Sequence, residues 1–198
     1  MSLHFDPVAH RYTFNGEVVP SVTQILQPLM DFSMVPADVL KAKQELGTAA
    51  HLACELYDLD DLLEDSLDPA IVPYLEGWKK FRLETGFVPS MTEQRVYHPK
   101  LGYAGTFDSY GILNGKTVLL DRKTSSFVSE AVAGPQTAAY EQALLESPDY
   151  TGPKKMQRGA VQLKPDGTYK YHPYKGGSDW SVFVSLLTLH NWRKRHGL

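Results

Sequence analysis

The spacing of hydrophobic and polar positions changes twice along the chain. Up to Gly86 the apolar residues recur mainly at helical intervals, whereas β-branched and aromatic residues dominate from Val88 to Ser125. After Pro135 come a helical stretch, a hairpin and a last helical stretch. The order of helices, three strands, helix, hairpin and helix predicts an α/β fold, an α+β mixed sheet flanked by helices.

Turn and cap residues set the predicted ends of the elements. Asn15-Gly16 predicts a hairpin turn within 10–20, Ser21 caps a helix through Met30, and Pro36 lies near the start of a longer helix. The remaining predictions are a helix from Pro69 to Thr85 closed by Gly86, strands at 94–98, 103–113 and 117–124, a helix from Pro135 to about Glu146, a hairpin over 160–174 and a helix from Asp179 or Ser181 to Arg195. The acidic run 58–68 is interpreted as a solvated face or loop.

A second Asn-Gly pair, Asn114-Gly115, predicts which residues face each other across two strands. A two-residue hairpin loop sets Leu113 opposite Lys116, so every opposed pair sums to 229. Asp108 and Asp121 form such a pair, which would bring their Cβ atoms to roughly 5 Å. Lys123, two residues beyond Asp121, emerges on the same face.

Two interpretations of these charges remain open. Directly opposed carboxylates destabilise a plain sheet, and a divalent cation would compensate for their repulsion, with Mg²⁺ favouring such oxygen ligands. The alternative is an exposed ladder of charges in which Lys123 neutralises Asp121.

Composition limits the chain's class. Its 198 residues, 42% hydrophobic, suit a single domain over 1–198, with an N-terminal hairpin and helices in 1–86, a catalytic core in 88–146 and a basic hairpin and helix in 150–198. Cys54 is the only cysteine, which excludes a disulfide or a cysteine-ligated metal cluster within one chain. Without an apolar span or a signal-peptide pattern, we expect a cytoplasmic protein that does not enter a membrane.

The formal net charge of -3 hides an asymmetry. Residues 1–98 carry 7 Lys/Arg against 15 Asp/Glu, and residues 99–198 carry 13 against 8. Beyond Tyr150, basic residues that include Lys154, Lys155 and Arg158 are interspersed with tyrosines and tryptophans. Such a mixture is typical of a nucleic-acid surface, although an ordinary solvated surface explains it equally well.

Four motifs between Gly47 and Tyr140 resemble those of the PD-(D/E)xK nuclease superfamily, in its RecB-like and phage (lambda) exonuclease-like branch. The motifs are Gly47-Thr-Ala-Ala-His51, Gly105-Thr-Phe-Asp108, Leu119-Leu-Asp121-Arg-Lys123 and Gln136-Thr-Ala-Ala-Tyr140. They follow the family's order, although Gly105-Thr-Phe-Asp108 replaces a literal Pro-Asp. The resemblance implies a restriction-endonuclease-like core, with a central mixed β-sheet flanked by helices.

The resemblance also implies roles for individual residues. Asp108, Asp121 and Lys123 would be catalytic, and Mg²⁺, or Mn²⁺ in its place, would be held by His51, Asp108, Asp121 and the main-chain carbonyl of Arg122. Gln136 and Tyr140 would contact DNA or brace the catalytic strand. The basic residues Lys154, Lys155 and Arg158 are added as DNA contacts because of the charge of their segment, not because of the resemblance. Helical spacing adds Glu55 as a carboxylate behind His51. Without the resemblance, His51 could be a structural histidine and Tyr140 a core residue. Glu93 could be a further acidic partner of the site, but a surface carboxylate is the favoured interpretation.

Three functions compete. The first is a metal-dependent DNA exonuclease of phage or prophage recombination or DNA processing, the second is a structure-specific or restriction-type endonuclease, and the third is a nucleic-acid-binding module without catalysis. DNA is the partner in each case. Because members of the family form homo-oligomers, a homo-oligomer is a further expectation. If the chain is a phage exonuclease, a phage single-strand annealing protein is an additional expected partner.

Overall fold

The computed structural model describes residues 2–198. The helices are α1 (Val22–Leu26), α2 (Ala37–Asp58), α3 (Val72–Thr85), α4 (Glu130–Leu145) and α5 (Asp179–His196), with short 3-10 helices at Gln27–Leu29 and Glu64–Ser66. The strands are β1 (Leu3–Asp6), β2 (Arg11–Phe14), β3 (Glu17–Val19), β4 (Val88–His98), β5 (Tyr103–Leu113), β6 (Lys116–Lys123), β7 (Gln157–Leu163) and β8 (Tyr169–Tyr174). Among the described residues, no helix combines the length and apolar character required to cross a membrane.

The central sheet has five strands in the order β4-β5-β6-β7-β8. Only β6 and β7 run parallel, because α4 carries the chain over the sheet between them. β1, β2 and β3 form a separate antiparallel sheet. The predicted fold class, a mixed sheet flanked by helices, is confirmed.

Helices cover both faces of the central sheet. On one face, α1, α4 and α5 bury a cluster around Tyr103 and Phe107; on the other, α2 and α3 bury one around Trp78 and Leu120. The chain therefore has two apolar layers with the sheet between them.

Most predicted turns and caps are confirmed. Asn15-Gly16 and Asn114-Gly115 take positive φ angles, and Ser21 forms a capping box with Gln24. Several boundaries differ from the prediction, since β4 begins at Val88 and not at Gln94, and α3 begins at Val72 and not at Pro69. Pro135 lies inside α4, which begins five residues earlier at Glu130. Asp58, placed in a solvated acidic run, is buried because Trp78 and Arg82 donate hydrogen bonds to its carboxylate.

Candidate active site

The predicted register between β5 and β6 holds from the turn to the pair Ser109 and Leu120 and ends there. The expected direct pairing of Asp108 with Asp121 is wrong, because the Asp108 carboxylate instead accepts a hydrogen bond from the main-chain N–H of Arg122. Phe107 and Tyr110 both pack on the face of the sheet that α4 covers. Residues three apart in a regular strand point to opposite faces, so the regular alternation of side chains along β5 is interrupted between them, next to Asp108. The two strands thus separate where the acidic residues lie.

Three elements bring His51, Glu93 and Asp108 together, and we call these residues the acid–histidine cluster. Nδ1 of His51 lies 3.4 Å from Oδ1 of Asp108 and 3.8 Å from Oε1 of Glu93. One potential ligand atom from each residue lies within 4.8 Å of the others. α2, β4 and β5 therefore present one imidazole and two carboxylates to a single point.

Electrostatics couple the members of this cluster. Burial disfavours a charged His51, but the Asp108 and Glu93 carboxylates outweigh it and raise the pKa of His51 to about 9. Burial would raise the pKa of Asp108, yet His51 and Arg122 hold that pKa well below its usual range. A cation that binds neutral imidazole would displace the His51 proton.

Glu93 is the residue that the sequence interpretation undervalued. Its backbone has φ of 46°, an uncommon conformation for a non-glycine residue, and its Oε1 accepts a hydrogen bond of 2.7 Å from Arg122. The Arg122 side chain is fully buried, stacks over Trp78 and lies 3.5 Å from Asp58. The only sequence signal for Glu93 is its place just ahead of the predicted strand 94–98. Its ionic partner, Arg122, comes from β6.

A second group of polar residues, which we call the lysine chain, runs from β6 to α4. Nζ of Lys123 lies 2.8 Å from Oδ2 of Asp121 and donates a hydrogen bond of 2.9 Å to Oε1 of Gln136. Gln136 in turn donates to the Tyr140 hydroxyl at 3.1 Å. These contacts link β6 to α4, and a bracing role for Gln136 and Tyr140 stays a prediction.

Asp121 is buried with an incomplete set of partners. Its Oδ2 is buried against Nζ of Lys123, and no other group within residues 2–198 donates a hydrogen bond to that oxygen. Burial raises the pKa of Asp121; Lys123 opposes this shift, and the charge of Asp108 adds to it. Asp121 also raises the pKa of Lys123 against the effect of burial, which keeps the amine protonated.

These residues fit a hard divalent cation. Carboxylate oxygens suit Mg²⁺ and Mn²⁺, and one imidazole is compatible with the latter. The mutual repulsion of the buried carboxylates of Asp108 and Asp121 would be relieved by a positive ion. His51, Glu93 and Asp108 are the side chains that would hold it; ligation by Asp121 and by the Arg122 carbonyl remains a prediction.

The other predicted residues lie outside this arrangement. Glu55 is half-buried on α2, where burial and the charge of Glu93 raise its pKa, but Nδ1 of His51 faces Asp108 and Glu93 instead. Lys154 and Lys155 are exposed in the segment before β7. Arg158 is engaged within the fold, paired with Glu141 and Asp179.

No protein-family model matches the chain, and no curated protein matches its sequence. Among solved structures, the chain is similar to an alkaline exonuclease (LHK-Exo) from Laribacter hongkongensis, with 15% identity and a TM-score of 0.34. The similarity covers 89% of this chain and 92% of the exonuclease. At these values the functional interpretation depends on the chain's own residues.

Proposed function

We propose that the chain is a metal-dependent nuclease that hydrolyses phosphodiester bonds of DNA from strand ends. The observation that supports it most directly is the meeting of the acid–histidine cluster with the lysine chain at the point where β5 and β6 separate. The resemblance of the sequence motifs to the phage exonuclease-like branch, together with the size of the chain, supports the exonuclease character and a phage or prophage setting for DNA processing. In that setting the protein would act in the host cytoplasm.

Asp108, Asp121, Glu93 and His51 would bind Mg²⁺ or Mn²⁺. The cation supplies Lewis acidity, which neutralises charge on the phosphate and acidifies water. Lys123 is held by Gln136, and its protonated amine directs hydrogen bonds towards an attacking water and the phosphoryl oxygens. In the reaction, the water oxygen forms a bond to phosphorus, the bond from phosphorus to the leaving oxygen breaks, and the proton lost by water balances the one gained by that oxygen.

The decisive experiment compares wild type with Asp121→Asn on end-labelled DNA in Mg²⁺ and in Mn²⁺. We expect at least about a hundredfold loss of rate, because the variant loses one charged ligand and the anion beside Lys123. Asp65→Asn, which changes an exposed acid in the 3-10 helix between α2 and α3, is the matched control and should retain full rate. Equal activity of wild type and Asp121→Asn would refute the assigned site.

The position of cleavage is tested separately. Linear and covalently closed circular DNA are incubated side by side with the protein and Mg²⁺. Loss of the linear form alone supports action from ends, whereas rapid loss of the circle would replace the exonuclease by an endonuclease with the same active site.

A further inference from the structure

A cavity of about 420 Å³ lies beside the lysine chain. Its walls are the segment between β6 and α4, the first turn of α4 and one face of β7 and β8. Its lining includes Phe127, Glu130, Gln162, Lys170, His172 and Tyr174. A volume of this order suits a small organic ligand.

Strand register relates this cavity, which we call the β8 cavity, to the candidate active site. Lys123 pairs with Gln162, and Gln162 pairs with Lys170. Paired residues on neighbouring strands share a face, and neighbouring strands lie roughly 4.8 Å apart. The β8 cavity therefore begins one strand away from Lys123 on the face that carries its amine, close enough for a nucleotide adjoining a phosphate at Lys123.

The polar groups of the cavity wall have defined hydrogen-bonding roles. The amide nitrogen of Gln162 donates to the carbonyl oxygens of Ser125 and Ser126, so its Oε1 must accept from Nε2 of His172. In the neutral imidazole, Nδ1 of His172 then remains an acceptor. The wall thus offers an acceptor to a ligand in the cavity.

Phe127 completes the cavity with an apolar surface. Its side chain is 76% exposed, although it is a large aromatic ring next to a polar pocket. A ring in this position provides a platform for a planar ligand, because every nucleobase has a face that stacks on an aromatic ring. Glu130 in the wall disfavours a free phosphate group, whereas the hydrogen-bonding edge of a base is compatible with it.

We propose that the β8 cavity binds one unstacked nucleobase of the strand whose phosphate lies at Lys123. The base stacks on Phe127 and presents its polar edge to His172, while Lys170 faces the sugar-phosphate chain. This proposal rests on the proposed nuclease function and narrows its substrate to DNA with an unpaired or frayed nucleotide beside the scissile bond.

Binding without cleavage tests the proposal. A fluorescent thymidine oligonucleotide and an abasic oligonucleotide of equal length and charge are titrated with the full chain in EDTA, and anisotropy is recorded. Because a base stacked on an aromatic ring adds affinity that an abasic chain cannot gain, Phe127→Ala should bind the thymidine chain about tenfold more weakly and the abasic chain as wild type does. Leu83→Ala, which truncates an exposed apolar side chain on α3, is the control and should change neither affinity.

Three results would overturn the proposal: no preference of wild type for the thymidine chain, equal weakening of both probes by Phe127→Ala, or no weakening at all. Failure of the nuclease function would appear instead in the Asp121→Asn cleavage assay, which is independent of this binding measurement.

Discussion

At the scale of single residues, the buried guanidinium of Arg122 determines the position of Glu93 in the acid–histidine cluster. Arg122 has no exposed side-chain surface and is shared between Glu93 and Asp58. A buried cation requires such anionic partners, because the loss of one typically costs about 3–5 kcal/mol. Arg122 is therefore a positioning residue, which holds Glu93 towards His51.

Glu93→Gln tests whether Glu93 binds the cation. The amide oxygen can still accept from Arg122, but the negative charge is lost, so the Mn²⁺ concentration for half-maximal binding should rise at least about tenfold. Calorimetric titration of the purified chain with Mn²⁺ measures this change. Glu55→Gln, which alters a neighbouring carboxylate outside the cluster, should leave the titration unchanged; equal curves for Glu93→Gln and wild type would remove Glu93 from the ligand set.

His98 gives a prediction about pH. Its Nδ1 accepts a hydrogen bond of 3.3 Å from the Leu101 N–H, and burial lowers the pKa of His98, with Lys100 contributing in the same direction. In the unfolded chain the pKa of His98 is about 6.5, so the unfolded chain binds the proton more readily than the folded chain does. The stability contributed by neutral His98 is therefore present above about pH 6.5. It is lost as the pH falls through the pKa of His98 in the folded state. His98→Asn retains an acceptor that does not titrate. The free energy of unfolding of wild type, relative to that of His98→Asn, should therefore fall between about pH 7.5 and pH 5.5 in urea titrations; a constant difference would contradict this account.

At the scale of elements, two motif glycines allow helices to approach the strands that carry the site. A Cβ at Gly47 would lie 3.3 Å from Oγ1 of Thr124, so α2 comes close to the segment that follows Lys123. A Cβ at Gly105 would lie 2.5 Å from the ring of Tyr140, so α4 comes close to β5. Both contacts contribute to the relative placement of the acid–histidine cluster and the lysine chain.

Gly105→Ala tests this packing. The added methyl group would push the Tyr140 ring away from Gln136, which orients Lys123, so we expect a loss of about 1–3 kcal/mol in the free energy of unfolding together with lower nuclease activity. Urea denaturation and the end-label assay measure the two effects. Gly177→Ala, where nothing lies within 4 Å of the new Cβ, is the matched control. A Gly105→Ala protein as stable as Gly177→Ala would show that α4 does not constrain β5.

The parts of the fold that depend on local chemistry were predictable from the sequence. Asn114-Gly115 specified the turn and the register as far as Ser109 because a two-residue loop leaves little choice. The start of α4 and the end of the paired register were not predictable. Pro135 is a common signal for the first turn of a helix, yet α4 begins five residues before it. Asp108 leaves the pairing with β6, and its carboxylate accepts a hydrogen bond from the main-chain N–H of Arg122.

The candidate site shows the same division. Asp121, Lys123 and Gln136 are close in sequence and belong to recognisable motifs, so their association could be anticipated. Glu93 depends on Arg122, which depends on Asp58 and Trp78, three segments whose meeting is a property of the folded chain. No local pattern around Glu93 carries that information.

At the scale of the whole molecule, the basic residues of the second half of the chain lie at different places along the sheet. Lys154 and Lys155 precede β7, whose first residue pairs with Val118 near the beginning of β6. Lys123 lies five residues further along β6, roughly 17 Å away at about 3.3 Å per residue. Any phosphates that Lys154 and Lys155 contact are therefore distant from the bond that is cut.

A salt titration distinguishes such distant contacts from the active site. The double substitution Lys154→Ala and Lys155→Ala should reduce the slope of log affinity against log salt by about two on long duplex DNA, because each phosphate contact contributes about one counterion. On an oligonucleotide too short to span the sheet, kcat/KM should be unchanged. Lys41→Ala with Lys43→Ala, which removes two exposed lysines from the acidic half, is the control with equal charge loss. If both double variants lower the slope equally, net charge alone governs binding; if neither does, the segment before β7 does not contact DNA.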